Sequence, residues 1–133
     1  MASIPTICPF CGCGCGFYLV EHRGRIVGVE PNPHNPVNKG MLCAKGWNSY
    51  EFVNSPDRLK TPLVRKDGEL RESTWDEALD LVHARLSDIG LRFGAKSLGF
   101  LSSAKVSNEE NYLIMKMARA GFKSNNIDHC ARL

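Results

Sequence analysis

The sequence predicts an α+β chain in two parts: a small lobe with β-hairpins, stapled by clustered cysteines at the N-terminus, then the incomplete start of an α/β domain. Three observations carry this. Cysteines crowd the run Cys8-Pro-Phe-Cys11-Gly-Cys13-Gly-Cys15-Gly, and Cys43 follows only after a long gap. Apolar segments flank turn residues at 17–30 and again at 63–70. From residue 74 the apolar period becomes that of amphipathic helices around one short apolar strand. The boundary is placed after residue 60: residues 1–60 form the cysteine lobe, and residues 61–133 hold a hairpin and a first helix, strand and helix.

Thiolates at Cys8 and Cys11, a third from Cys13 or Cys15, and the distant Cys43 make up the four-sulfur complement of an iron–sulfur cluster. The wider C-x2-C-x3-C loop favours Cys15 over Cys13. Glycines at 12, 14 and 16 let such a loop turn tightly and aim backbone N–H groups at the sulfurs, offsetting their negative charge. A structural zinc site is the alternative. Zinc knuckles bring two close ligand pairs, whereas Cys43 has no neighbour at that spacing and the nearest histidine upstream is His34. The first part therefore reads as an iron–sulfur lobe.

At 133 residues and a net charge of +3, the chain has room for one modest core and carries too little dispersed positive charge to argue for nucleic acid. No apolar run approaches a membrane span, and the N-terminus shows neither a signal-peptide core nor a twin-arginine signal. The expected location is cytoplasmic, where clustered cysteines stay reduced and act as metal ligands.

Along the chain, residues 17–30 form a hairpin about His22-Arg23-Gly24-Arg25. Pro31, Pro33 and Pro36 alternate with Asn32, Asn35 and Asn38 in an extended loop that carries Cys43 back to the first cysteines. Trp47 to Val53 reads as a helical turn packing Trp47, Tyr50 and Phe52 near the site. Pro56 and Pro62 bracket a linker, and Leu63 to Leu70 forms a second hairpin about Asp67-Gly68. Thr74 with Glu77 spells a capping box, and Trp75, Leu79, Val82, Leu86 and Ile89 mark one apolar helix face ending at Gly90. Ser97 to Ser103 is a buried strand. Ser107 with Glu110 caps a second helix marked by Tyr112, Met115 and Phe122, with Gly121 near its end. Helix, strand, helix in that order opens an α/β domain with parallel strands, and one strand cannot complete a sheet.

Blocks C-P-F-C-G-C-G-C at 8–15, K-G-M-L-C-A-K-G at 39–46 and D-R-L-K-T-P-L-V at 57–64 resemble the N-terminus of the molybdopterin oxidoreductase family. Within it, S-S-A-K-V-S-N-E-E-N-Y at 102–112 and N-N-I-D-H-C-A-R-L at 125–133 look closest to catalytic subunits of formate dehydrogenases. The resemblance implies a [4Fe-4S] cluster on Cys8, Cys11, Cys15 and Cys43, and a bis-molybdopterin guanine dinucleotide carrying molybdenum or tungsten. It implies that Lys45 lies between cluster and pterin as an electron relay and cofactor-binding residue. It gives Cys13 no role beyond that of a small buried residue. Cys130 is expected to be a small buried hydrophobe and not a metal ligand.

The resemblance further implies interconversion of formate and carbon dioxide by the whole enzyme, with electrons relayed through this lobe to a redox partner. In such enzymes a metal-binding selenocysteine or cysteine follows the A-R-L block. The chain ending at Leu133 is therefore expected to be cut at a UGA codon, or to be one piece of a split subunit inactive without its remainder. A free-standing ferredoxin-like electron carrier, a zinc-stapled interaction domain, and a sibling nitrate reductase or formylmethanofuran dehydrogenase are the competing readings.

Overall fold

The computed structural model describes residues 1–130; Ala131, Arg132 and Leu133, the end of the A-R-L block, lie outside the described residues. Two compact units emerge. Among the described residues, one is Met1–Arg58 with Ser102–Leu113, His129 and Cys130; the other is Leu59–Leu101 with Ile114–Asp128.

The first unit is built on a three-stranded antiparallel sheet, β1 (Ala2–Ile7), β2 (Gly16–His22) and β3 (Arg25–Pro31), with β2 central. The 17–30 hairpin is borne out. Arg23 and Gly24 both take positive φ, 51° and 78°, the conformation a two-residue hairpin turn needs to match strand twist. A bulge at Val20/Glu21 shifts the register from Leu19↔Val29 to Glu21↔Ile26. Strand β1 carries no clear signal in the local sequence. Pro5 within it argues against a central strand, and β1 lies at the sheet edge, where a missing N–H is tolerated. Phe17 is 1% exposed and anchors this unit, with Cys8 buried beside the strand ends. A short helix α1 (Ala44–Trp47) and a 3₁₀ turn (Phe52–Asn54) follow. Helical structure thus begins before Trp47.

The second unit opens with the hairpin β4 (Leu63–Lys66) and β5 (Glu69–Glu72), turning at Asp67-Gly68 with φ 52° and 86°. Helix α2 (Trp75–Phe93) starts where Thr74 Oγ1 accepts the Glu77 N–H at 3.2 Å. The capping box is half made, because the Glu77 carboxylate turns to Ser73 Oγ at 2.6 Å and Lys66 Nζ at 2.5 Å. The helix runs through Gly90 and stops at Gly94, whose φ of 84° breaks it, so the expected end at Gly90 is corrected by one turn. Its apolar face is largely uncovered: Trp75, Leu79 and Val82 are more than half exposed, and Leu86 alone of the five packs on the core.

That core gathers Leu98, Phe100 and Ala118, with Leu86, Ile114, Phe122 and Ile127 against it. The expected strand from Ser97 shortens to β6 (Phe100–Ser103), after a 3₁₀ turn at Ala95–Ser97, and pairs with β7 (Ile127–Cys130). Ser124 is buried and ties the two ends of this core, its Oγ donating to the Leu98 carbonyl at 2.9 Å and accepting the Asn126 N–H at 3.2 Å. Helix α3 (Asn108–Lys116) begins with the full reciprocal box: Glu110 N–H to Ser107 Oγ at 3.3 Å, and Ser107 N–H to Glu110 Oε2 at 2.7 Å. It widens into a π turn over Met117–Gly121. Among the described residues no helix is long and apolar enough to cross a membrane.

Candidate metal centre

The cysteine run is a loop between β1 and β2. It leaves the sheet after Ile7 and returns at Gly16, closed at its base by the Cys8 N–H donating to the Cys15 carbonyl at 2.8 Å. Inside it, Gly14 sits at φ 72°, a conformation that an L side chain rarely adopts. The loop is tied from two directions. Asn108 Nδ2 donates to the Gly12 carbonyl at 2.8 Å, and the Gly16 N–H donates to Asn38 Oδ1 at 3.0 Å.

Asn38 also donates through Nδ2 to the Met41 carbonyl at 2.8 Å, so one buried amide joins the first cysteine segment to the stretch that leads into Cys43. The proline-rich loop is ordered by its own asparagines. Asn35 Oδ1 accepts from the N–H groups of Val37 at 3.0 Å and Asn38 at 3.3 Å. Cys43 then enters α1, which carries Lys45 and Gly46.

The result is a cavity of about 310 Å³ lined by Cys8, Phe10, Cys11, Cys15, Leu42, Cys43, Lys45 and Gly46. Phe10 backs one wall, meeting Phe52 edge-on at 5.9 Å between ring centroids, while Arg58 lies 5.0 Å over the outer ring.

The thiols are electrostatically divided. Backbone N–H groups of Gly46 and Lys45 hold the Cys43 thiol below its ordinary value, favouring thiolate. Burial pushes the Cys8 thiol up, and the neighbouring thiols of Cys11, Cys43 and Cys13 add to this against a backbone hydrogen bond at Phe10. Cys15 is pushed up to about 11 by burial, then by its contact with Cys13 and the other thiols. Cys8 and Cys15 thus resist ionisation at a site where Cys43 favours it. Bound metal removes that conflict by displacing the protons.

The donor set fits a cluster better than a lone ion. A single zinc draws thiolates onto one point at about 2.3 Å each. Four thiols spread around a cavity instead suit a body that offers separate irons to separate sulfurs.

Of the residues singled out from sequence, Cys8, Cys11, Cys15, Cys43 and Lys45 come together at this cavity. Cys13 does not line it and is exposed, which corrects the expectation of a small buried residue; its thiol stands 3.6 Å from that of Cys15. Cys130 is exposed as well, because β7 presents it to Ser103 Oγ at 3.6 Å rather than to the core. Asn38 and Asn108 escaped the sequence reading. Asn38 lay in a run that reads only as a structure breaker, and Asn108 contacts a residue too distant in sequence for any local pattern to reveal.

Residues 1–55 match the molybdopterin oxidoreductase Fe4S4 domain and residues 58–133 match the molybdopterin oxidoreductase family proper. The chain is 52% identical over 130 residues to subunit alpha of the F420-dependent formate dehydrogenase 1 of Methanococcus maripaludis, covering 98% of this chain and 19% of that protein. It is 47% identical over 127 residues to a putative formate dehydrogenase of Bacillus subtilis, covering 96% of this chain and 13% of that one. Among solved structures, acetylene hydratase from Pelobacter acetylenicus superposes with a TM-score of 0.65 at 26% identity, over 94% of this chain and 18% of its own. The chain thus spans about a fifth or less of the length of these relatives. A 4Fe-4S cluster and a molybdopterin are the cofactors this stretch of sequence serves. On both matched segments, and as its blocks suggested, the chain belongs to the molybdopterin oxidoreductase family.

Proposed function

We propose that this chain is the electron-relaying N-terminal part of a formate dehydrogenase catalytic subunit, with Cys8, Cys11, Cys15 and Cys43 as the ligands of its 4Fe-4S cluster. The observation that carries the reading is the shared cavity of these four thiols with Lys45 at its wall. In the assembled enzyme formate would lose two electrons and a proton to become carbon dioxide; a pterin-held molybdenum or tungsten would supply that chemistry, and a cluster held by these cysteines would supply one-electron transfer.

The chain's own residues hold and tune. N–H groups of Gly46 and Lys45 point at the Cys43 sulfur and stabilise its negative charge. Phe10 and Leu42 exclude water from the cavity wall. Lys45 places a positive charge at the cavity wall, which raises the cluster's potential and eases electron passage from the pterin. The lobe of residues 1–60 does this work, and residues 61–133 begin the pterin-binding domain. Its partners are the remainder of a catalytic subunit, continuous or separate, and an iron–sulfur or other redox subunit, with the whole in the cytoplasm.

Formate is favoured over other substrates of the family by relatives named formate dehydrogenase at 52% and 47% identity. The fold alone does not choose, since a hydratase shares it. The test is anaerobic purification of the enzyme from its source, with metal analysis, the EPR of the reduced protein and formate-dependent dye reduction. About four irons per chain with a reduced-cluster signal is the expected result. Zinc in place of iron would overturn the cluster assignment, and an iron-loaded enzyme inert to formate would overturn the substrate.

A further inference from the structure

We propose that Cys13 is an exchange ligand of the cluster, able to take the place of Cys15 at one iron. This rests on the reading above, in which Cys8, Cys11, Cys15 and Cys43 hold a 4Fe-4S cluster. The Cys13 sulfur, outside the cavity lining, stands 3.6 Å from the sulfur of Cys15, which lines it.

The backbone between them is the free part of an otherwise pinned loop. Before it, the Gly12 carbonyl is held by Asn108 Nδ2 at 2.8 Å; after it, the Cys15 carbonyl is held by the Cys8 N–H at 2.8 Å. Only Cys13 and Gly14 lie between these anchors. Gly14, at φ 72°, has nothing within 4 Å of the position a Cβ would take and, as a glycine, reaches backbone conformations that other residues rarely adopt. The exchange needs a backbone change only at Cys13 and Gly14, between anchors that leave Cys8 and Cys11 in place.

The exchange is redox-neutral. Cys13 S–H gives its proton to water and its sulfur bonds the iron, while the iron–sulfur bond to Cys15 breaks and the Cys15 sulfur takes up a proton. Iron–sulfur bonds, protons and electrons are the same before and after. The loop thereby guards one corner of the cluster against loss of its ligand.

The test compares wild type, Cys13→Ala, Cys15→Ala and the double variant in the anaerobically purified holoprotein, reading iron per chain and the EPR of the reduced cluster. Cys13→Ala should keep about four irons. Cys15→Ala should keep them too, with an altered EPR signal from the substituted corner, and the double variant should lose the cluster. A Cys15→Ala protein as iron-poor as the double variant overturns the exchange. Should Cys15→Ala fold poorly, wild type decides: iodoacetamide added to the loaded protein, followed by peptide mapping, should label Cys13 in some molecules and Cys15 in others. Label confined to one of the two overturns exchange. Wild type without iron overturns the cluster reading itself, whereas iron-loaded wild type with single-site label overturns only this proposal.

Discussion

The Asn38 side-chain oxygen accepts the Gly16 N–H at 3.0 Å, and this one bond joins the end of the cysteine loop to the segment that delivers Cys43. Removing the amide leaves that buried N–H without its partner and releases the Met41 carbonyl too. Asn38→Ala should therefore cost about 1–3 kcal/mol. Thermal unfolding should show the loss, and iron content should fall with it, since Cys43 would be less firmly held.

Glycines in the first unit differ sharply in what they tolerate. A Cβ on Gly16 would overlap the amide of Asn35, whose oxygen already holds the N–H groups of Val37 and Asn38. One on Gly28 would meet nothing within 4 Å. Gly16→Ala should destabilise by more than about 2 kcal/mol, while Gly28→Ala should be neutral or stabilise by up to about 1 kcal/mol. Denaturant titration of both variants checks the contrast.

Gly12 and Asn108 should be energetically coupled. A Cβ at Gly12 would sit 2.6 Å from Asn108 Oδ1, so Gly12→Ala forces that side chain away and breaks its bond to the Gly12 carbonyl. In an Asn108→Ala background there is no side chain to displace. The cost of Gly12→Ala should shrink there, with a coupling of at least about 0.5 kcal/mol in the double-mutant cycle.

In the second unit, the Lys66 ammonium and then Ser73 Oγ hold the Glu77 carboxyl below the usual carboxylate range. A depressed folded-state pKa contributes stability that is present above the unfolded value, about 4.3, and fades as pH falls through the folded one. Wild type should melt above Glu77→Gln at pH 7, and the gap should close in acid below about pH 4. Both groups are well exposed, so the gap should be small and shrink further in salt.

Much of this was legible in advance because the signals are local. Turn dipeptides at Arg23-Gly24 and Asp67-Gly68 demand positive φ and took it. Ser107 and Glu110 close their box as their spacing requires. Cys8, Cys11, Cys15 and Cys43 line one cavity, as their spacing leads one to expect. What stayed hidden is non-local or conditional. Strand β1 exists because β2 offers it an edge, and Pro5 disguises it. The end of α2 moved from Gly90 to Gly94 because a glycine inside a helix is only mildly unfavourable, whereas one at φ 84° stops it. Exposure of Cys13 depends on how the loop is pinned at Gly12 and Cys15, which spacing does not encode.

The two cysteine segments also differ in how much change in length they can absorb. Between Cys8 and Cys15 the run is short and closed at its base by the Cys8 N–H to Cys15 carbonyl bond, so a single insertion would misdirect at least one thiol. Between β3 and Asn38 the chain is largely solvent-facing, and residues inserted outside its asparagine-held turns cost little, since doubling a flexible loop's length adds only about 0.6 kcal/mol in closure entropy. Insertions and deletions should accumulate ahead of Asn38 and be absent from the first run. A search for distant kin of this lobe therefore gains most by fixing the short spacing and letting the long one float.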